Sequence, residues 1–149
     1  MKWSFEVSDG QAELEVILRK ARLDQEVQDV MAYLEGFGQS VTELFPIKTA
    51  ERVQLVSVAD LIAVEVDGGE LQVLTTKGSY RTVERLIHFQ ERVHHPDLLQ
   101  ISRYGLINIK QLQYLEHSFS GNMTAVLTGK TKVTVSRRYL KYLEKKLGL

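Results

Sequence analysis

The sequence predicts a fold that is mainly β with α (α+β), built from short hairpins in series. Three observations carry this expectation. From Val41 onward, apolar and polar residues alternate with a period of two through most of the chain. The glycine turns Asp67-Gly68-Gly69 and Lys77-Gly78 interrupt that alternation at hairpin spacing. Apolar spacing of three and four residues, the mark of an amphipathic helix, is confined to a segment after Asp24, to Arg81 through Val93, and to the C-terminus.

In chain order, Glu13 to Ala21 sets Leu14, Val16 and Leu18 on one face and Ile17 on the other, which fits a strand. Asp24 then serves as N-cap of a helix whose apolar stripe is Val27, Val30, Met31, Leu34 and Phe37, with Gly36 or Gly38 closing it. Strands are expected at Leu44 to Ile47, Val53 to Val56, Leu61 to Val66, Leu71 to Thr76 and Ser79 to Val83. Arg81 to Val93 places Val83, Leu86, Ile87 and Val93 on one side and reads as a short helix, ended by His94-His95-Pro96-Asp97. Leu98 to Ser102 and Leu106 to Ile109 flank a bend at Arg103-Tyr104-Gly105, and further strands follow at Leu112 to His117, Thr124 to Thr128 and Lys132 to Val135. A final helix begins near Ser136, its N-cap, with Leu140, Leu143 and Leu147 along one face. A composition break near Val41 to Pro46 separates a small strand-helix unit, residues 1–44, from a mostly β module, residues 45–149.

The chain of 149 residues is 44% hydrophobic, enough for one good core and a small appended unit. It contains no cysteine, which excludes a disulfide framework and a cysteine-based zinc site and fits a reducing compartment. No apolar run is long enough to span a bilayer, and Met1 to Glu6 lacks the apolar region of a signal peptide, so a soluble cytoplasmic protein is expected. A formal charge of zero conceals a strong asymmetry. Residues 77–149 carry thirteen Lys and Arg against five acids, a surplus of eight, and residues 1–76 carry the balancing deficit. Such a field over one module attracts phosphate and makes affinity depend on salt. Two solvated surfaces of opposite sign, or halves that attract each other, would give the same tally.

The most informative stretch is Lys132 to Leu143, where an alternating strand runs into Arg137-Arg138 and a basic helix. Backbone on both sides fixes the two guanidinium forks, an arrangement suited to a polyanion. Other chemistries find less support. His94-His95 with Asp97 would point apart on a loop and no second ligand pair accompanies them, so no metal is expected. There is no Gly-rich phosphate loop, no Gly-x-Ser-x-Gly elbow and no cysteine nucleophile, so neither an enzyme nor a cofactor is expected. Glu13 with Glu15, and Glu65 with Asp67, are carboxylates two apart on strands, which solvent usually claims. Tyr139 and Tyr142 lie beside the Leu140 and Leu143 face, where packing is a better use than stacking on single-stranded bases.

Four motifs, in order, resemble a known family: Leu61-Ile62-Ala63-Val64-Glu65-Val66, the Lys77-Gly78 turn, Leu99-Gln100-Ile101-Ser102-Arg103-Tyr104-Gly105-Leu106-Ile107-Asn108, and Val133-Thr134-Val135-Ser136-Arg137-Arg138-Tyr139. Together they look like a LytTR-type DNA-binding domain over roughly residues 45–149. The resemblance implies an elongated array of small antiparallel sheets that enters successive major grooves with loops and strand ends. It implies three contact places: the Asp67 to Leu71 loop, with Glu70 or Gln72 nearest a base; Ser102 with Arg103; and Arg138. Arginine can read guanine O6 and N7 with two parallel hydrogen bonds, worth about 1–3 kcal/mol of discrimination. Base readout is therefore assigned to Arg103 and Arg138, and phosphate contact to Arg137, Lys110, Lys132 and Lys141, with Arg137 and Arg138 open to exchange. Tyr104-Gly105 departs from the small Ser of many members, and Glu70 stands where a donor is common, which points to fewer base contacts or to cytosine N4. Asn108 also matches the pattern but reads as structural, since a strand-end Asn satisfies buried backbone groups. Residues 1–40 fall outside the resemblance, and the chain is too short to include a phosphoreceiver. It is similar to small stand-alone members, often encoded with a membrane regulatory protein. The expectation is a homodimeric, sequence-specific regulator of transcription that binds double-stranded DNA. The alternative is a protein-interaction adaptor with oppositely charged halves and no DNA binding.

Overall fold

The computed structural model describes residues 1–37 and 43–149. Gly38 as a helix stop and Val41 as the start of the alternation lie outside those residues. The chain divides into two compact units, Met1–Gln39 and Ser40–Leu149.

The first unit contains helix α1, Gln25–Gly36. The Asp24 carboxylate accepts from the Val27 N–H at 3.3 Å, serving one of the amides that a helix start leaves without a partner. Lys20 pairs with Asp24 at 2.7 Å and also with Glu26. These hydrogen bonds raise the Lys20 pKa and lower those of both carboxylates. The helix ends at Gly36 because Phe37 turns extended, its N–H donating to the Leu34 carbonyl. The strand expected over Glu13 to Ala21 does not form: that stretch holds only bends and irregular chain and pairs with no described segment. Alternation is not sufficient, because an extended backbone needs a neighbour for its N–H and C=O groups. The stripe of α1 also stays open, with Val27, Val30 and Leu34 half-buried, Met31 44% exposed and Phe37 67% exposed.

The second unit follows the expected order of hairpins. Strands β1 (Leu44–Lys48) and β2 (Val53–Ser57) pair with each other. Strands β3 (Leu61–Asp67), β4 (Glu70–Thr75), β5 (Gly78–Thr82), β6 (Leu98–Ser102) and β7 (Gly105–Asn108) form a five-stranded antiparallel sheet in the order β5-β4-β3-β7-β6. Strands β8 (Leu112–His117), β9 (Met123–Leu127) and β10 (Thr131–Val135) make a third sheet, ordered β10-β9-β8. Helices α2 (Leu86–Arg92) and α3 (Arg137–Leu147) complete the unit. The helix expected from Arg81 starts later, because Arg81 and Thr82 stay in β5, paired with Gln72 and Leu71. Ladder hydrogen bonds to β4 prevail there over a weak helical period, and Val83 is left exposed.

Strand β3 explains the packing. Its run Leu61-Ile62-Ala63-Val64 is wholly buried, as in a sheet covered on both faces. Leu61 and Val64 join one core with Phe45 and Ile47 of β1, Val73 of β4 and Phe89 of α2. The Phe45 and Phe89 rings meet edge to face, 5.6 Å between centroids. Ile62 and Ala63 join a second core with Ile101, Ile107, Leu127, Val133, Val135 and Leu143 of α3. A register shift between Leu61 and Ala63 lets two successive residues share a side. The five-stranded sheet is thus a middle layer, with β1, β2 and α2 on one face and the β8–β10 sheet with α3 on the other.

Asn108, 1% exposed, pins this arrangement. Its Nδ2 donates to the carbonyls of Val58 at 3.1 Å and Leu61 at 2.9 Å, and its Oδ1 accepts from the Lys110 N–H at 3.0 Å. The structural role read from the sequence is the one the side chain performs. At the start of α3, Ser136 occupies the N-cap position as expected, but its hydroxyl makes no capping bond. Its N–H donates instead to the Ile101 carbonyl at 2.9 Å, docking the β10–α3 corner on β6. Along α3, Leu143 is buried, Leu140 half-buried and Leu147 exposed.

A candidate nucleic-acid interface at one end of the central sheet

Antiparallel pairing decides where the predicted contact places fall. Strand β3 ends, and β7 begins, at the same end of the five-stranded sheet, so the β3–β4 and β6–β7 turns lie side by side. The Val66 N–H donates to the Tyr104 carbonyl at 2.8 Å and ties the two turns together. The β10–α3 corner joins them through the Ser136 to Ile101 bond, one residue from Ser102. One cross-strand row, Arg81, Gln72, Glu65, Gly105 and Ser102, runs over all five strands just behind these turns. The sheet therefore brings together Glu70, Gln72, Ser102, Arg103, Arg137 and Arg138.

The first turn is tight. Asp67 pairs with Glu70 across Gly68 and Gly69, whose φ values of 59° and 80° favour glycine at both central positions of a twisted hairpin turn. Arg81 grips it: Nε donates to Glu70 Oε2 at 2.9 Å, Nη1 to Asp67 Oδ2 at 3.0 Å and Nη2 to the Asp67 carbonyl at 3.0 Å. These bonds raise the Arg81 pKa, Glu70 contributing most. Burial raises the Glu65 pKa, and the charge of Asp67 adds to the effect. In the second turn the Ser102 hydroxyl accepts from the Tyr104 N–H at 3.1 Å, a local bond that holds the bend. The Arg103 guanidinium lies 5.7 Å from the centre of the exposed Tyr104 ring, the cation over the π face.

At the third place the two arginines differ. The Arg137 N–H donates to Asn122 Oδ1 at 3.3 Å, and its guanidinium lies so near Gly121 that a Cβ there would sit 2.5 Å from Nη2. Both arginines are exposed, and neither pairs with a carboxylate among the described residues. Lys141 follows Arg138 by three residues, on the same side of α3, and is exposed. Lys132 sits on β10, 3.6 Å from Glu116 across the sheet. Lys132, near the start of β10, and Lys110, which follows Asn108 at the far end of β7, are not with the others: each is about one strand length from the contact turns.

Arg81 carries no clear functional signal in the sequence, because its segment also has a helical period. Register is what finds it: a hairpin closed at Thr75 and Gly78 counts back to Gln72 opposite Arg81, within reach of Glu70. His95 Nδ1 accepts from the Asp97 N–H at 3.1 Å, so that motif shapes its own loop. No group of three or more His, Asp or Glu among the described residues is placed to hold a metal. No helix among the described residues is long and apolar enough to cross a membrane.

Comparison with known proteins agrees with the fold. The model of the LytTr DNA-binding domain matches residues 51–148. The chain is 34% identical over 108 residues to the sensory transduction protein LytR of Staphylococcus epidermidis, a match covering 72% of this chain and 43% of that protein. It is 22% identical over 142 residues to the transcriptional regulatory protein LytR of Staphylococcus aureus strain N315, covering 94% of this chain and 58% of that protein. The chain thus spans about half the length of these relatives. A solved LytTr DNA-binding domain, from a Bacillus cereus methyl-accepting/DNA response regulator, has the same fold, with a TM-score of 0.65 at 16% identity over 72% of this chain and 99% of that one. The family match, the LytR similarity and the shared fold are one result: this chain belongs to the LytTr DNA-binding domain family.

Proposed function

We propose that this chain is a sequence-specific regulator of transcription that binds double-stranded DNA with the loop end of its five-stranded sheet. The observation that carries the proposal is the gathering of three short cationic or polar turns at that end, held by main-chain bonds between Val66 and Tyr104 and between Ser136 and Ile101. Arg103 and Arg138 read bases, with Ser102, Gln72 and Glu70 beside them. Arg137, Lys141 and Lys132 take phosphates, the exposed Lys132 pair with Glu116 giving way to a phosphate oxygen. Lys110 takes a phosphate on a duplex that follows the length of the sheet. The relatives' names, sensory transduction and transcriptional regulatory proteins, support the same activity.

Fluorescence anisotropy with duplexes selected from a random-sequence library tests this proposal. The parent is expected to prefer selected over random duplex by about 10³-fold or more at physiological salt, with affinity falling as salt rises. Lys141→Ala is expected to weaken both equally and to reduce the salt slope by about 1. Equal affinity for selected and random duplexes would reject sequence-specific binding. No binding at moderate salt would favour an adaptor that joins protein partners.

The first unit serves in dimerisation. Its support is the open stripe of α1 together with exposed Trp3, 86%, and Phe5, 79%. A twelve-residue helix gains little stability alone and needs a packed face, which a second copy supplies. Light scattering is expected to give twice the chain mass of 17.0 kDa at micromolar concentration. A mass of one chain at every concentration would rule the dimer out.

A further inference from the structure

We infer that Arg81 is a positioning residue for DNA recognition: it holds the Gly68-Gly69 turn in the shape that the first contact place needs and thereby sets base preference there. This inference rests on the DNA-binding reading above. The chemistry is local. Two adjacent glycines lose more conformational freedom on ordering than any other pair, so a Gly-Gly turn is the least self-supporting of hairpin turns. Arg81 supplies the support from the neighbouring strand β5, with one guanidinium bonded to the carboxylates at both ends of the turn and to the carbonyl that opens it. Its Nη2 would lie 4.0 Å from a Cβ on Gly68, so the guanidinium reaches the turn itself.

The same bonds decide what the turn offers a base. Glu70 Oε2 is drawn toward β5, and Asp67 is held beside it. Without Arg81 neither carboxylate would be held: Asp67 would be free to approach and repel the phosphates, and Glu70 would have no fixed place beside a base. Gln72, directly opposite Arg81 in register, is left as the neutral donor and acceptor of the first contact place. The pairs are exposed, Arg81 by 47%, Asp67 by 60% and Glu70 by 41%, so they add little to the stability of the fold. A role in shaping the turn accounts for three bonds converging there.

Arg81→Lys separates this role from charge, because lysine keeps the cation and loses the planar fork. Arg81→Gln removes both. The readout is a single-base substitution profile on the selected duplex, alongside affinity for random duplex, its salt slope and the thermal midpoint. For Arg81→Lys, affinity for the selected duplex is expected to fall about tenfold while random-duplex affinity and salt slope stay within about twofold of the parent. The lost base preference is expected to fall in one block of adjacent base pairs, separate from the block lost in Arg103→Ala. Arg81→Gln is expected to lose the same block and to bind random duplex more weakly as well. If Arg81→Lys keeps the parent's profile at every position, or loses selected and random binding in equal proportion, the positioning role is wrong while the DNA reading stands. If the parent itself shows no base preference, the DNA reading fails and this inference fails with it.

Discussion

Replacing Arg103 or Arg138 by alanine is expected to weaken binding to a selected duplex by about 1–3 kcal/mol each, roughly 5- to 150-fold, and to relax base preference at different positions. Both guanidinium groups are exposed, and neither is tied to a carboxylate among the described residues, so both are available to a duplex. Arg103 stacks on Tyr104, which limits the freedom its side chain must give up on binding. The loss for Arg138→Ala should exceed that for Arg137→Ala in base preference, because Arg137 is drawn toward Gly121 and Asn122. Arg103 and Arg138 lie on different turns and share no bonding partner among the described residues, so the double variant should lose close to the sum of the two. Competition anisotropy against a panel of single-base variants measures each term. Uniform loss across all sequences would reassign both arginines to phosphate.

Asn108→Leu is expected to destabilise the second unit by about 2–4 kcal/mol, because it strips the donors from two buried carbonyls and the acceptor from an amide. Those partners belong to two separate turns, Val58 and Leu61 to the one that leads into β3 and Lys110 to the one that follows β7, and leucine fills the volume without serving any of them. Urea unfolding should show a lower midpoint with an unchanged slope. The fraction still folded should keep the parent's base preference, since Asn108 lies at the end of β7 away from the base-reading turns. An unaltered midpoint would mean that those carbonyls do not depend on this side chain.

Much of the fold was legible because its signals are local. Alternation and glycine turns located the hairpins from β1 to β10, and leucine spacing located α3. The segments that misled were those where tertiary pairing decides. Glu13 to Ala21 has the alternation of a strand but no described neighbour to bond with. Arg81 and Thr82 have a helical period but are claimed by β4. The double burial of Leu61 to Val64 was visible as an unbroken apolar run, whereas the register shift that divides it between two cores was not. At the candidate site, sequence resemblance named Arg103 and Arg138, but only cross-strand register reveals that Arg81 braces the turn holding Glu70. Lys110 shows the converse: its residue type suits phosphate, and its place at the far end of β7 separates it from the rest.

If the chain binds as proposed, one end of the five-stranded sheet lies against DNA. Amide chemical-shift mapping on titration with a selected duplex tests it most directly. The largest shifts are expected at residues 67–72, 102–104 and 136–141. Shifts confined to the first unit, or to the turns at the opposite end of the sheet, would contradict it.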